Sequence, residues 1–163
     1  MRQSLTRSLL VLLAFAFVAL GAGCSGDDEA TESFEQEVVV ARDTADSALA
    51  RIRQPKSTRD LIVRLRTGRD ELATASGSIA VAEAPDDLAE EKRRLAGALS
   101  DMSDEMDAAA NSIEIVQEGD SDGETDVRSI IFDTWDKVQA ALTALRDEGI
   151  DVQPLGRHGG AES

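Results

Sequence analysis

The sequence predicts an all-α protein, an antiparallel up-down-up-down four-helix bundle, and three observations carry that expectation. Apolar residues recur at alternating steps of three and four along four separate segments, the spacing that lines one face of a helix. Proline, glycine and capping residues stand where those segments meet, as helix starts and stops require. After residue 23, Phe34, Phe132 and Trp135 are the only Phe, Tyr or Trp residues, so a core of Leu, Ile, Val and Ala must pack closely, which helices allow. A period near 3.5 implies helices crossing at about 20°, the geometry of a bundle.

The elements follow in order. Residues 1–23 precede the fold: Arg2 and Arg7 come with no acid, and 9–20 is an unbroken apolar run. A bilayer span needs about 20 such residues, so the run is too short to remain as one, and it reads as a cleaved secretory signal. Residues 25–31 are small and acidic and read as a flexible tether with a reach of about 15 Å. The first helix, 32–54, aligns Phe34, Val38, Ala41, Ala45, Ala48 and Ile52; Ser33 with Gln36 forms a capping box, and Pro55 ends it. The second, 58–84, aligns Leu61, Leu65, Gly68, Leu72, Ala75, Ile79 and Ala82, with Ser57 and Asp60 as its capping pair. Gly68 and Gly77 each weaken it by about 1 kcal/mol relative to alanine, so a break there is an alternative.

Pro85 opens the third helix, 85–117, where its missing N–H costs nothing. Leu88, Leu95, Leu99, Met102, Met106, Ala109, Ile113 and Val116 form its stripe, with Lys92 the polar interruption. The fourth, 126–148, aligns Val127, Ile131, Thr134, Val138, Ala141 and Leu145, flanked by Trp135 and Leu142. Gly149 is its left-handed stop and Ile150 the accompanying apolar contact. The folded domain thus spans 32–152, and 153–163 should fray. Short connections favour antiparallel neighbours.

The end of the apolar run, Leu20-Gly21-Ala22-Gly23-Cys24, resembles the lipobox of bacterial lipoprotein precursors. Small residues before the cysteine suit the peptidase of that family; Gly21 stands where the family usually has Leu, with Leu20 one step further out. The resemblance implies that the Cys24 thiol receives a diacylglyceryl group, that the mature chain starts at Cys24, and that it is exported and anchored to the outer face of the bacterial cell membrane. Two acyl chains make such an anchor stable. The alternative is an ordinary signal peptide with an incidental cysteine. Cys24 is the sole cysteine, so no intramolecular disulfide can form.

Charge narrows the partners. The chain has 17 basic and 32 acidic residues, a formal −15, and losing Arg2 and Arg7 with the leader makes it more negative still. That balance argues against nucleic acid as a partner and against broad adhesion to an anionic membrane surface. Charge is also segregated: Arg51, Arg53, Lys56, Arg59, Arg64, Arg66 and Arg69 face one acid, Asp60, in 51–69, whereas 101–126 is acidic without a base. An up-down-up-down bundle brings these stretches to one pole, either to neutralise each other or to form a polarised tip that docks a partner.

Candidate sites are few. Glu118, Asp120, Asp122, Glu124 and Asp126, with Gly123 among them, look somewhat like the start of an EF-hand loop, but the twelfth position is Ser129 instead of a glutamate. A solvated acidic loop is the other reading. Met102 and Met106 are four apart, as soft-metal ligands can be, yet both lie on the core stripe. His158 lies in the tail. Trp135 reads as a packing residue or a binding aromatic. Small residues along helices two and three (Ala73, Ala75, Gly77, Ala80, Ala108, Ala109, Ala110) permit close approach or leave a groove. No nucleophile elbow, phosphate-cradling loop or Glu-x-x-His pair occurs, so no catalytic residue, metal or cofactor is expected. The function expected is a non-catalytic structural or protein-interaction role in the cell envelope, with an envelope protein or wall component as partner. The alternative is a small-ligand or cation-binding lipoprotein using an interhelical groove or the 118–126 loop.

Overall fold

A computed structural model describes residues 26–119 and 133–156 of the chain, with side chains over 29–116 and 133–156. The described residues form four α-helices and no strand: α1 Gly26–Ile52, α2 Thr58–Val81, α3 Ala89–Gly119 and α4 Thr134–Asp147, with a single 3-10 turn at Asp86–Leu88. The all-α class read from periodicity is the class adopted. Extensive contacts join chain neighbours, α1 to α2, α2 to α3 and α3 to α4. Among the described residues, no helix is long and apolar enough to cross a membrane.

The apolar stripes become the core. Phe34, Val38, Ala41, Ala45, Ala48 and Ile52 of α1 are buried, as are Leu61, Leu65, Leu72, Ala75 and Ile79 of α2. Leu95, Leu99, Met102, Met106 and Ile113 of α3 meet Val138, Ala141, Leu142 and Leu145 of α4 in the same cluster. The methionines are core packing, fully enclosed. Val116 departs from its stripe: it is exposed, together with Ile115.

Helix ends refine the expected bounds. α1 starts at Gly26 instead of 32, so the tether expected at 25–31 is largely helical and Ser33 is interior rather than a cap. Nothing between 26 and 32 breaks a helix, and Glu29 falls in the first turn, where the positive dipole end favours an acid. α2 is continuous from Thr58 to Val81, so neither glycine breaks it. Gly68 is held by packing: a Cβ there would lie 2.7 Å from Met106 Sδ. Ser57 caps α2 as expected, accepting from Asp60 N–H at 3.1 Å. Pro85 precedes the 3-10 turn, where Leu88 N–H donates to its carbonyl at 3.0 Å, and α3 proper begins only at Ala89. The fourth helix, expected from 126, is described from Thr134; Val127 and Ile131 lie outside the described residues.

Gly149 has φ of 101°, and Ile150 N–H reaches back to Leu145 O at 3.0 Å, which closes α4 in a Schellman turn. The tail expected to fray from 153 does not do so as far as Gly156. Ile150, Val152 and Leu155 are buried. Their segment, 150–156, is tied to α1 and α4 as an extended strap. Residues 157–163, His158 included, lie outside the described residues.

Candidate functional site

The most polarised feature of the described molecule is the turn joining α1 to α2. Pro55 ends one helix and Ser57 opens the next, so the basic stretch of the sequence is folded into a tight hairpin. Four of its cations are engaged by neighbours. Arg51 Nη1 meets both carboxylate oxygens of Glu71, at 2.9 and 2.8 Å. Arg64 donates to the Arg51 carbonyl at 2.6 Å and pairs with Asp60 at 2.9 Å. Arg66 reaches Glu114 at 2.5 Å, and Arg69 spans Asp70 at 2.7 Å and Asp107 at 2.9 Å. The acids of α3 thus neutralise the middle of α2.

The consequences for titration follow from these partners. The Lys56 backbone N–H, at 2.7 Å, and then the Arg64 guanidinium hold the Asp60 carboxyl below its ordinary value. Asp70 and then Asp107 hold the Arg69 guanidinium further toward its charged form. Asp101 does the same for Lys137, across a 2.7 Å pair joining α3 to α4.

Arg53, Lys56 and Arg59 are different. All three are exposed, and none forms an ion pair among the described residues. Beside them lies an open groove of about 590 Å³ lined by Ala50, Arg51, Arg53, Gln54 and Arg64. A second, smaller groove of about 350 Å³ runs between α1 and α2, with Val40, Ala41, Thr44, Thr74 and Ala75 along it. Val40 is exposed there.

No protein family, curated protein or solved structure matches this chain. Cys24 and the acidic positions Asp120, Asp122, Glu124 and Asp126 lie outside the described residues, and Glu118 is placed only as backbone near the end of α3. Among the described residues, no group of three or more His, Cys, Asp or Glu is arranged to hold a metal ion. Trp135 is half-buried against the core. Its indole N–H is enclosed and has no hydrogen-bond partner among the described residues.

Several working polar residues carry no local sequence signal. Glu105 receives the N–H groups of Asp133 at 3.0 Å and Thr134 at 3.1 Å, together with the Thr134 hydroxyl. A carboxylate on α3 therefore caps α4 from across the interface, where the residue at the cap itself offers no side-chain bond. Lys92, the interruption in the α3 stripe, donates to Ala82 O at 2.8 Å and satisfies the carbonyl end of α2. Ser76 and Ser103 donate to Ala96 O and Arg69 O at 2.8 and 3.0 Å, joining α2 to α3 by side-chain-to-backbone bonds. Arg42 donates twice to Pro154 O, at 3.2 and 2.8 Å, and holds the strap.

Proposed function

We propose that the protein is an exported lipoprotein, held at the outer face of a bacterial cell membrane by diacylglycerol on Cys24. On this reading its helical part is an up-down-up-down bundle with a non-catalytic interaction role in the envelope. One observation carries the anchoring: a basic start and a 9–20 apolar run too short to span end in Leu20-Gly21-Ala22-Gly23-Cys24. The sole cysteine lies where that resemblance requires the lipid.

Register supports the bundle topology. Arg51 meets Arg64 across the first turn; Lys92 meets Ala82, Ser76 meets Ala96 and Arg66 meets Glu114. Residue numbers rise on one helix as they fall on the next, and Glu105 and Asp101 meet Thr134 and Lys137 in the same sense. An interaction role is supported by the use of the described polar groups. Carboxylates, serines and lysines close helix ends or bridge helices, and both described grooves are open surface features.

Fractionation of cells producing the chain and its Cys24→Ser form tests the reading. The wild-type chain is expected in the envelope fraction, processed and labelled by a fatty-acid analogue. The variant should lose the label and leave the envelope when cells are lysed. A variant that still fractionates with envelopes after high-salt washing would overturn it.

A further inference from the structure

The cationic tip of the α1–α2 hairpin has no assigned role in the interaction reading, and its chemistry narrows the partner. Arg51, Arg64, Arg66 and Arg69 are spent on carboxylates of this chain. Arg53, Lys56 and Arg59 stand exposed around a five-residue turn, without an ion pair among the described residues, on a chain whose formal charge is −15. A cluster of exposed cations without an ion pair among the described residues attracts anions locally on so acidic a molecule, while the rest of the surface repels them. Arg53 overhangs the groove of about 590 Å³, and its planar guanidinium suits bidentate contact with an oxyanion.

We infer that the Arg53–Lys56–Arg59 tip binds a phosphate-bearing polymer. This rests on the envelope reading above and names the partner's chemistry within it. A protein partner fits the tip less well. Protein interfaces bury about 800 Å² on each side around an apolar centre, and Arg53, Lys56 and Arg59 on a narrow helical turn supply charge without such a centre. Lipid headgroups of the protein's own membrane fit less well too, because the 27 residues of α1 place the tip about 40 Å along the helix from the end nearest the anchor.

The test uses the full chain purified in neutral detergent, with inorganic polyphosphate as probe. Polyglutamate and vesicles of phosphatidylglycerol with phosphatidylcholine serve as comparison ligands. Polyphosphate should bind in preference to both, and Arg53→Gln with Lys56→Gln and Arg59→Gln should weaken it at least tenfold. The same triple change should lower the log–log salt slope by about two, as loss of three phosphate contacts requires. Arg93→Gln, an exposed cation on α3, should bind as the wild type does. Equal binding by the triple variant, no binding by the wild type at low salt, or preference for polyglutamate or vesicles would each overturn the inference. If Cys24→Ser stays with the envelope while polyphosphate binding remains tip-dependent, the anchoring reading fails and this one stands.

Discussion

Along the seam between α2 and α3, helix lies directly on helix. Gly68 admits Met106, Ser76 and Ser103 stitch side chain to backbone, and Arg66 and Arg69 pair with acids on α3. On the side where α1 and α4 would meet, the chain instead lays down an extended segment. Asp151 N–H donates to Glu35 at 3.0 Å, Leu155 N–H to Gln139 at 2.9 Å and Gly156 N–H to Asp46 at 2.6 Å, while Ile150, Val152 and Leu155 fill the space below. The difference shows two ways of satisfying the same requirement. A helix brings its own backbone hydrogen bonds, whereas a strap must borrow partners from its neighbours, here the side chains of Glu35, Arg42, Asp46 and Gln139.

The largest loss of stability is expected at the seam. Leu65→Ala, at a fully buried position, should cost about 4 kcal/mol in denaturant unfolding, the usual cost of a core cavity. Ending the chain after Gly149 should cost about 3 kcal/mol, since three apolar side chains lose their burial but the released segment regains entropy. A truncated chain as stable as the intact one would show that the strap rests on the fold without supporting it.

The glycines of α2 sharpen the contrast within one helix. Gly77→Ala meets nothing within 4 Å and should gain about 1 kcal/mol through helix propensity. Gly68→Ala places its new methyl against Met106 Sδ at 2.7 Å and should lose about 1 kcal/mol despite the same propensity gain. Thermal melts of the pair should therefore move in opposite directions. If both rise, Met106 is free to move aside and the seam is looser than its packing implies.

The smallest effect belongs to the hairpin. The Asp60 carboxyl is held below its ordinary value by the Lys56 N–H and Arg64. A lowered folded pKa contributes stability above the unfolded value and loses it as pH falls through the folded one. The difference in stability between the wild type and Asp60→Asn should accordingly be constant near neutrality and shrink below about pH 4.

These two regions also divide what the sequence made legible. The stripes of α1, α2 and α3 could be read because a helix buries every third or fourth residue against one neighbour, and Phe34, Leu65, Leu99 and Met102 all fall where that period places them. The bounds were less legible. The capping pattern at Ser33 and Gln36 did not start a helix, because nothing upstream stopped one, and Pro85 initiated a 3-10 turn before α3. The strap was misread as a fraying tail. Val152 and Leu155 are too few and too irregularly spaced to form a periodic signal, and the side chains that bind the backbone of the strap lie more than 100 residues away in α1 or on α4. Glu105 was invisible for the same reason: a cap supplied by another helix has no fixed spacing. The charge segregation of 51–69 was plain in sequence, but which cations pair with acids among the described residues depends on contacts between helices.

The anchoring claim is tested most directly by the intact mass of the chain extracted from envelopes. A single species is expected, beginning at Cys24 and heavier than residues 24–163 by at least a diacylglyceryl group. An extracted chain that retains Met1, or one cleaved nearby with an unmodified Cys24 thiol, would contradict it.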